Sequence, residues 1–306
     1  QEVPLKGNTG ALYEGETFSH QLIFEEAMKF IRDNKDQPFF CYCPWTPPHG
    51  VWGLPEGEPS WQKYKDKQWD AGYSIKENEA QRYAAMVHMD DRQIGQILDL
   101  LEELKIDDNT LVIVSGDNGG HLYFQNETHP HGFFAPNVDP KTGQVFRGQK
   151  GLLYEGGLRI PFIVRWSGKV RAGMVSEHLG YFPDIMPTLA ELAGVNCPAD
   201  IDGISIVPTL LGGHSQKNHK YLYWEFNGQT AVRCGHWKAY KPRKGEWELY
   251  DLSEDIEEKK NVAAQHRAKL EEMIGYANEA HEPHVPGDVL DMELCMKDHQ
   301  KTKNPK

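Results

Sequence analysis

No apolar run in this 306-residue sequence approaches the ~20 residues that a bilayer-spanning helix needs, so no membrane span is read from it. A basic stretch followed by an apolar one, the mark of a secretory leader, is also missing at Gln1. Positive charge is scarce: 33 Lys and Arg stand against 45 Asp and Glu, giving a net charge of −12. That balance argues against a nucleic-acid or anionic-membrane binder, which works through a broad basic surface. An anionic substrate would need a local positive pocket. The five cysteines (Cys41, Cys43, Cys197, Cys234, Cys295) show no Cys-x-x-Cys spacing, so a paired-cysteine structural zinc site is not indicated. They read mainly as core thiols, with one disulfide left open. Internal repeats and low-complexity tracts are absent as well.

What is present is the texture of a folded chain, 39% apolar and 25% charged, long enough for one large domain or a domain with a small appendage. Residues 21–33 place Leu22, Ile23, Ala27, Phe30 and Ile31 at helical spacing, and residues 77–104 do the same with Ala84, Val87, Ile94, Ile97, Leu98 and Leu101. Residues 38–43 (Pro-Phe-Phe-Cys-Tyr-Cys) predict a buried strand that feeds a proline-rich loop carrying His49. Residues 110–115 are β-branched and apolar throughout, the pattern of a strand inside a parallel sheet. A second such strand is expected at 160–166 and a helix at 184–193. This alternation predicts an open α/β sheet layered by helices, in which ligands gather beyond the C-terminal ends of strands. From about residue 216 the pattern changes to short strands at 221–226, 231–234, 237–240 and 247–252 with a helix at 265–279. Two units are therefore expected: an α/β domain over 1–215 and a small antiparallel subdomain over 216–306, with an extended tail from 285.

Asp117 and Asn118 follow the strand at 110–115 and offer a carboxylate and an amide oxygen, hard donors suited to Ca²⁺ or Mg²⁺. Asp-Asn-Gly is also ordinary turn chemistry, and two ligands do not complete a cation site. Lys150 lies in Arg147-Gly-Gln-Lys150-Gly, among glycines that let backbone approach a ligand closely. His49, in Pro47-Pro48-His49-Gly50, and His121, His129 and His131 are further polar candidates. The three later histidines fit no transition-metal spacing well. Trp45, Trp52 and His121 could line a cleft that takes sugar rings, or could simply be packing.

The order of Pro38-Phe-Phe with Pro48-His49, then Thr110-Leu-Val-Ile-Val-Ser-Gly-Asp117-Asn118-Gly119, then Arg147-Gly-Gln-Lys150-Gly with Tyr154-Glu155-Gly-Gly-Leu-Arg159-Ile-Pro161, resembles type I sulfatases of the alkaline phosphatase superfamily. Asp184-Ile-Met-Pro-Thr-Leu-Ala-Glu-Leu-Ala-Gly194, Asp202-Gly-Ile-Ser-Ile-Val-Pro208, Val232-Arg233, Trp237-Lys238 and Glu248-Leu-Tyr-Asp-Leu252 continue the likeness in sequence order, over about residues 20–284. The resemblance is nearest to the arylsulfatase A and N-acetylgalactosamine-6-sulfatase branch. It implies an alkaline phosphatase-like sheet, incomplete at its N-terminal side, and hydrolysis of a sulfate ester on a sugar or glycan. By the same resemblance Asp117 and Asn118 would ligate a catalytic Ca²⁺, with Mg²⁺ second. Lys150 would bind a sulfate oxygen, His49 would hydrogen-bond the sulfate or the leaving oxygen, and His121 would face the substrate. A periplasmic, extracellular or lysosomal-type compartment is implied in the same way.

The departures are equally informative. None of the five cysteines begins the Cys/Ser-x-Pro/Ala-x-Arg motif that such enzymes convert to the formylglycine nucleophile. The resemblance places that motif, the acidic pair completing the cation site and a Lys/His pair ahead of the matched portion, so the polypeptide as written is expected to be inactive. Two other functions fit the same residues: a phosphodiesterase or phosphonate hydrolase of the superfamily, and a noncatalytic binder of sulfated glycans.

Overall fold

The computed structural model describes residues 18–50, 52–55, 57–71, 78–134, 137–213 and 215–283. Helix α1 (Ser19–Asn34) buries His20, Phe24, Ala27 and Ile31, a stripe at steps of three and four residues. This corrects the expected face: Leu22, Ile23 and Phe30 are exposed, because Trp45, Gln93 and Leu100 pack against the His20–Phe24–Ile31 side instead. The short helix α2 (Pro59–Tyr64) starts on Glu58, whose carboxylate accepts from the Ser60 amide, and lies against the 25-residue helix α3 (Glu79–Glu103). The C-terminal end of α3 closes over α1. Leu100 and Leu101 pack with Ile31, and Phe39, Cys41 and Val112 join that cluster.

Strand β1 (Val112–Ser115) pairs with β2 (Phe162–Arg165). The pairing is antiparallel, with Val112 opposite Arg165, and this corrects the expectation of a parallel neighbour. Nor is β2 buried: Ile163 is 61% exposed and Phe162 41%. An apolar run reports a preference for packing, but not the direction of the partner strand. Residues 38–43 are likewise extended, yet they form no strand among the described residues. Their alternation still has its physical effect. Phe39 and Cys41 turn to the helices, while Phe40 and Tyr42 face outward.

Helix α4 (Glu155–Leu158) lies in the connection from β1 to β2, and α5 (Ile185–Ala193) and α6 (Val207–Leu210) follow β2. The last part is an antiparallel meander of β3 (Leu222–Phe226), β4 (Gln229–Cys234), β5 (Trp237–Lys241) and β6 (Glu248–Asp251), followed by α7 (Arg267–Ala280). Period-two alternation gives this sheet two unlike faces. Val232, Ala239 and Leu249 pack on Met273 and Ala277 of α7. Ala231, Tyr240 and Tyr250 pack instead on Leu153 and Tyr154, in the loop that carries Lys150. All four C-terminal strands and the helix fall within two residues of where the sequence places them. The tail expected to be extended lies outside the described residues. Among the described residues no helix is long and apolar enough to cross a membrane.

Candidate active site

β1 ends at Ser115, and the chain then turns through Gly116 into Asp117 and Asn118. The Asp117 side chain is exposed, and no hydrogen bond or ion pair engages its carboxylate among the described residues. Asn118 Nδ2 donates to the Gly119 carbonyl at 2.8 Å, which leaves Oδ1 free. Two hard oxygens on successive residues are thus open to a cation. No cluster of three or more His, Cys, Asp or Glu side chains suited to a metal occurs among the described residues, so these two oxygens alone do not complete a cation site.

Backbone contacts bring this turn to the Lys150 loop. The Gly119 amide donates to the Gly157 carbonyl at 2.9 Å, the Lys150 amide to Gly120 at 3.0 Å, and the Leu122 amide to Gln149 Oε1 at 2.9 Å. Gly119, Gly156 and Gly157 serve this close packing of backbone on backbone. A Cβ on Gly119 would lie 2.0 Å from the Gly156 carbonyl oxygen, and one on Gly157 would lie 1.9 Å from the Leu152 carbonyl oxygen. The structure therefore joins Asp117, Asn118 and Lys150 across two hydrogen-bonded loops.

His121 belongs to the same group. Its ring stacks on Tyr123 at 4.3 Å, and partial burial together with the Lys150 charge holds it below the ordinary imidazole value. His49 is more distant in its connections. Its Nδ1 lies 2.9 Å from the Gly50 carbonyl, which as an acceptor fixes the proton on Nδ1, and the residue is exposed. No hydrogen bond or ion pair among the described residues joins His49 to Asp117, Asn118 or Lys150. Its loop reaches them through Trp52, whose indole donates to the Pro48 carbonyl and packs 5.0 Å from Tyr123. Trp45 leaves the candidate cleft, because its ring packs edge-on against His20 and Phe24. His129 packs on Phe133.

Sequence reasoning missed the ion cluster under the Lys150 loop. Glu155, 2% exposed, receives Arg159 Nε at 2.6 Å, Arg233 Nη1 at 2.7 Å and Lys238 Nζ at 3.0 Å. Lys238 also lies 2.8 Å from Glu258 Oε1, and Glu258 Oε2 accepts from the Glu155 amide at 2.7 Å. Burial pushes the Glu155 carboxyl up, but Lys238, Arg233 and Arg159 outweigh it and hold the group far below the carboxylate range. For Glu258 burial prevails and its pKa rises. One signal was legible: Arg233 and Lys238 fall on the same face of consecutive strands as Ala231 and Tyr240, where a surface strand would rarely bury two cations.

The Sulfatase family profile matches residues 4–195, more than half of the chain. This chain belongs to the sulfatase family. A second profile, the C-terminal region of N-sulphoglucosamine sulphohydrolase, matches residues 146–276. The N-acetylgalactosamine-6-sulfatase of Rattus norvegicus is 34% identical over 75% of this chain and 39% of its own length. An N-acetylgalactosamine-6-O-sulfatase of Bacteroides thetaiotaomicron is 29% identical over 88% of this chain and 52% of its own. Among solved structures, Ps i-CgsB in complex with k-i-k-neocarrahexaose superposes with a TM-score of 0.70 at 25% identity, over 95% of this chain and 61% of that one. The fold is thus the alkaline phosphatase-like fold of sulfatases, and sulfatases bind a metal ion. The chain spans about half the length of the curated relatives it matches.

Proposed function

We propose that this sulfatase chain supplies metal and sulfate contacts to a site that hydrolyses sulfate esters of a carbohydrate. The observation that supports the reading is the hydrogen bonding between the two loops that carry Lys150, Asn118 with its free Oδ1, and Asp117, whose carboxylate has no partner among the described residues. Their chemistry fits the reaction. At the transition state a sulfate ester gathers negative charge on its equatorial and leaving oxygens, and a preorganised ammonium such as Lys150 stabilises that charge. Asp117 and Asn118 would hold a hard cation, for which we propose Ca²⁺; when bound, it neutralises sulfate charge as a Lewis acid. His49, exposed and with Nδ1 engaged by the Gly50 carbonyl, can donate from Nε2 to the leaving oxygen when protonated. His121, stacked on Tyr123 beside Lys150, would bound the sugar side of the site. The attacking group, a formylglycine in this family by the resemblance above, is not encoded in these 306 residues. An extracytoplasmic setting belongs to the same proposal, as does a glycan substrate, which the names of the relatives support.

The test is calorimetric titration of the chain with N-acetylgalactosamine 6-sulfate in the presence of Ca²⁺. Binding should be lost on Asp117→Ala and weakened at least tenfold on Lys150→Ala, the loss of one charge-assisted contact of about 1.5–3 kcal/mol. Binding that is indifferent to both substitutions, or equal binding of a phosphodiester, would reject the assignment.

A further inference from the structure

We infer that Glu155 is a positioning residue for Lys150 and the Asp117–Asn118 turn, acting through a slot of paired cations on the C-terminal sheet. The inference rests on the reading of that site as a sulfate pocket. Arg233 and Lys238 are direct cross-strand partners in the β4–β5 register. Like charges opposite one another destabilise a sheet, so this pair needs an anion between its members. Glu155 is that anion: Oε2 meets Arg233 and Oε1 meets Lys238. Arg159 closes the cluster from the loop's own side.

The clamp sits where it can set the geometry of the site. Glu155 opens α4, and its amide is held by Glu258. The Gly156 amide donates to the Arg147 carbonyl at 2.7 Å, while Arg147 reaches Tyr250 and the Glu258 carbonyl. Residues 147–157 are therefore fixed at both ends to the C-terminal sheet and its following turn. Lys150 lies between those ends, and Gly157 carries the hydrogen bond to Gly119. Release of Glu155 frees the loop that holds the two halves of the site together. The partners of Glu155 are Arg159, Arg233 and Lys238 and those of its amide Glu258, so its effect passes through the loop.

His121 is a built-in probe, because part of the depression of its pKa comes from Lys150. The experiment is an NMR titration of His121 in the chain, in wild type, Lys150→Met and Glu155→Gln, with amide exchange followed by mass spectrometry. Lys150→Met should raise the His121 pKa and so define the contribution of that charge. Glu155→Gln should reproduce more than half of the rise and accelerate exchange across 117–122 on the order of tenfold, with α1 and α3 unchanged. Arg159→Gln, which removes only the half-exposed member of the cluster, should give an intermediate result if Glu155→Gln fails to fold. The inference is overturned if exchange at 117–122 stays at the wild-type rate, or rises equally throughout the chain as a purely structural role would require. If Lys150→Met leaves His121 unmoved, the placement of those two residues at one site fails, while the exchange data still decide the role of Glu155.

Discussion

An added methyl at Gly119 would meet the Gly156 carbonyl oxygen at 2.0 Å, whereas one at Gly120 would meet nothing within 4 Å. Gly119→Ala should therefore separate the two loops, lowering thermal stability by about 1–3 kcal/mol or more. Gly120→Ala should fold like the wild type, and differential scanning fluorimetry distinguishes the two. A second residue-level expectation concerns Asp90. Burial lifts its carboxyl to about 7, beside a His20 ring held below its usual value mainly by burial. The folded protein then binds this proton more tightly than the unfolded chain, so Asp90 makes stability fall as the pH rises from about 4 through about 7. Asp90→Asn should remove that slope, melting above the wild type at pH 8 and close to it at pH 4. At this scale the sequence identifies Asp117, Asn118 and Lys150 by type, but only the fold shows which of them share hydrogen-bonded loops. Glu155 gave no local cue, because its partners Arg233 and Lys238 are more than seventy residues away.

Elements whose signal is their own periodicity were legible. Helix α3 and strands β3 to β6 follow from spacing and alternation, although the buried stripe of α3 runs through Ala85, Met86, Met89, Gln93 and Leu100 and leaves Val87 exposed. Elements defined by a neighbour were not. Residues 38–43 have strand composition without a ladder partner among the described residues, and β1 took an antiparallel neighbour that no pattern could name. The C-terminal sheet supplies a test of how far an element depends on another. Lys238 is fully buried between Glu155 and Glu258. Lys238→Met leaves two carboxylates facing each other and should cost about 3–5 kcal/mol in urea unfolding, the range for breaking a buried ion pair. Adding Glu258→Gln should recover part of that loss.

For the molecule as a whole, charge and apolar surface are unevenly arranged. The chain carries a net charge of −12, yet Leu22, Ile23, Phe40, Tyr42 and Ile163 are all exposed. Leu22, Ile23, Cys41, Tyr42 and Cys43 share one groove of about 360 Å³ between α1 and residues 38–43. An apolar groove of this kind favours association. Sedimentation velocity should show concentration-dependent self-association that the pair Leu22→Ser and Tyr42→Ser reduces without lowering the melting temperature.

The hydrogen bond from Gly119 to Gly157 also bears on how long the protein keeps its chemistry. In a slack chain an Asn-Gly step ages: the glycine nitrogen attacks the asparagine side chain, ammonia leaves, and a cyclic imide opens to aspartate or isoaspartate. Here that nitrogen is buried and committed to a carbonyl across the loop junction, while the Asn118 amide is tethered to Gly119. Every opening of the junction would expose Asn118 to this decay, so the contact that assembles the turn also sets its shelf life.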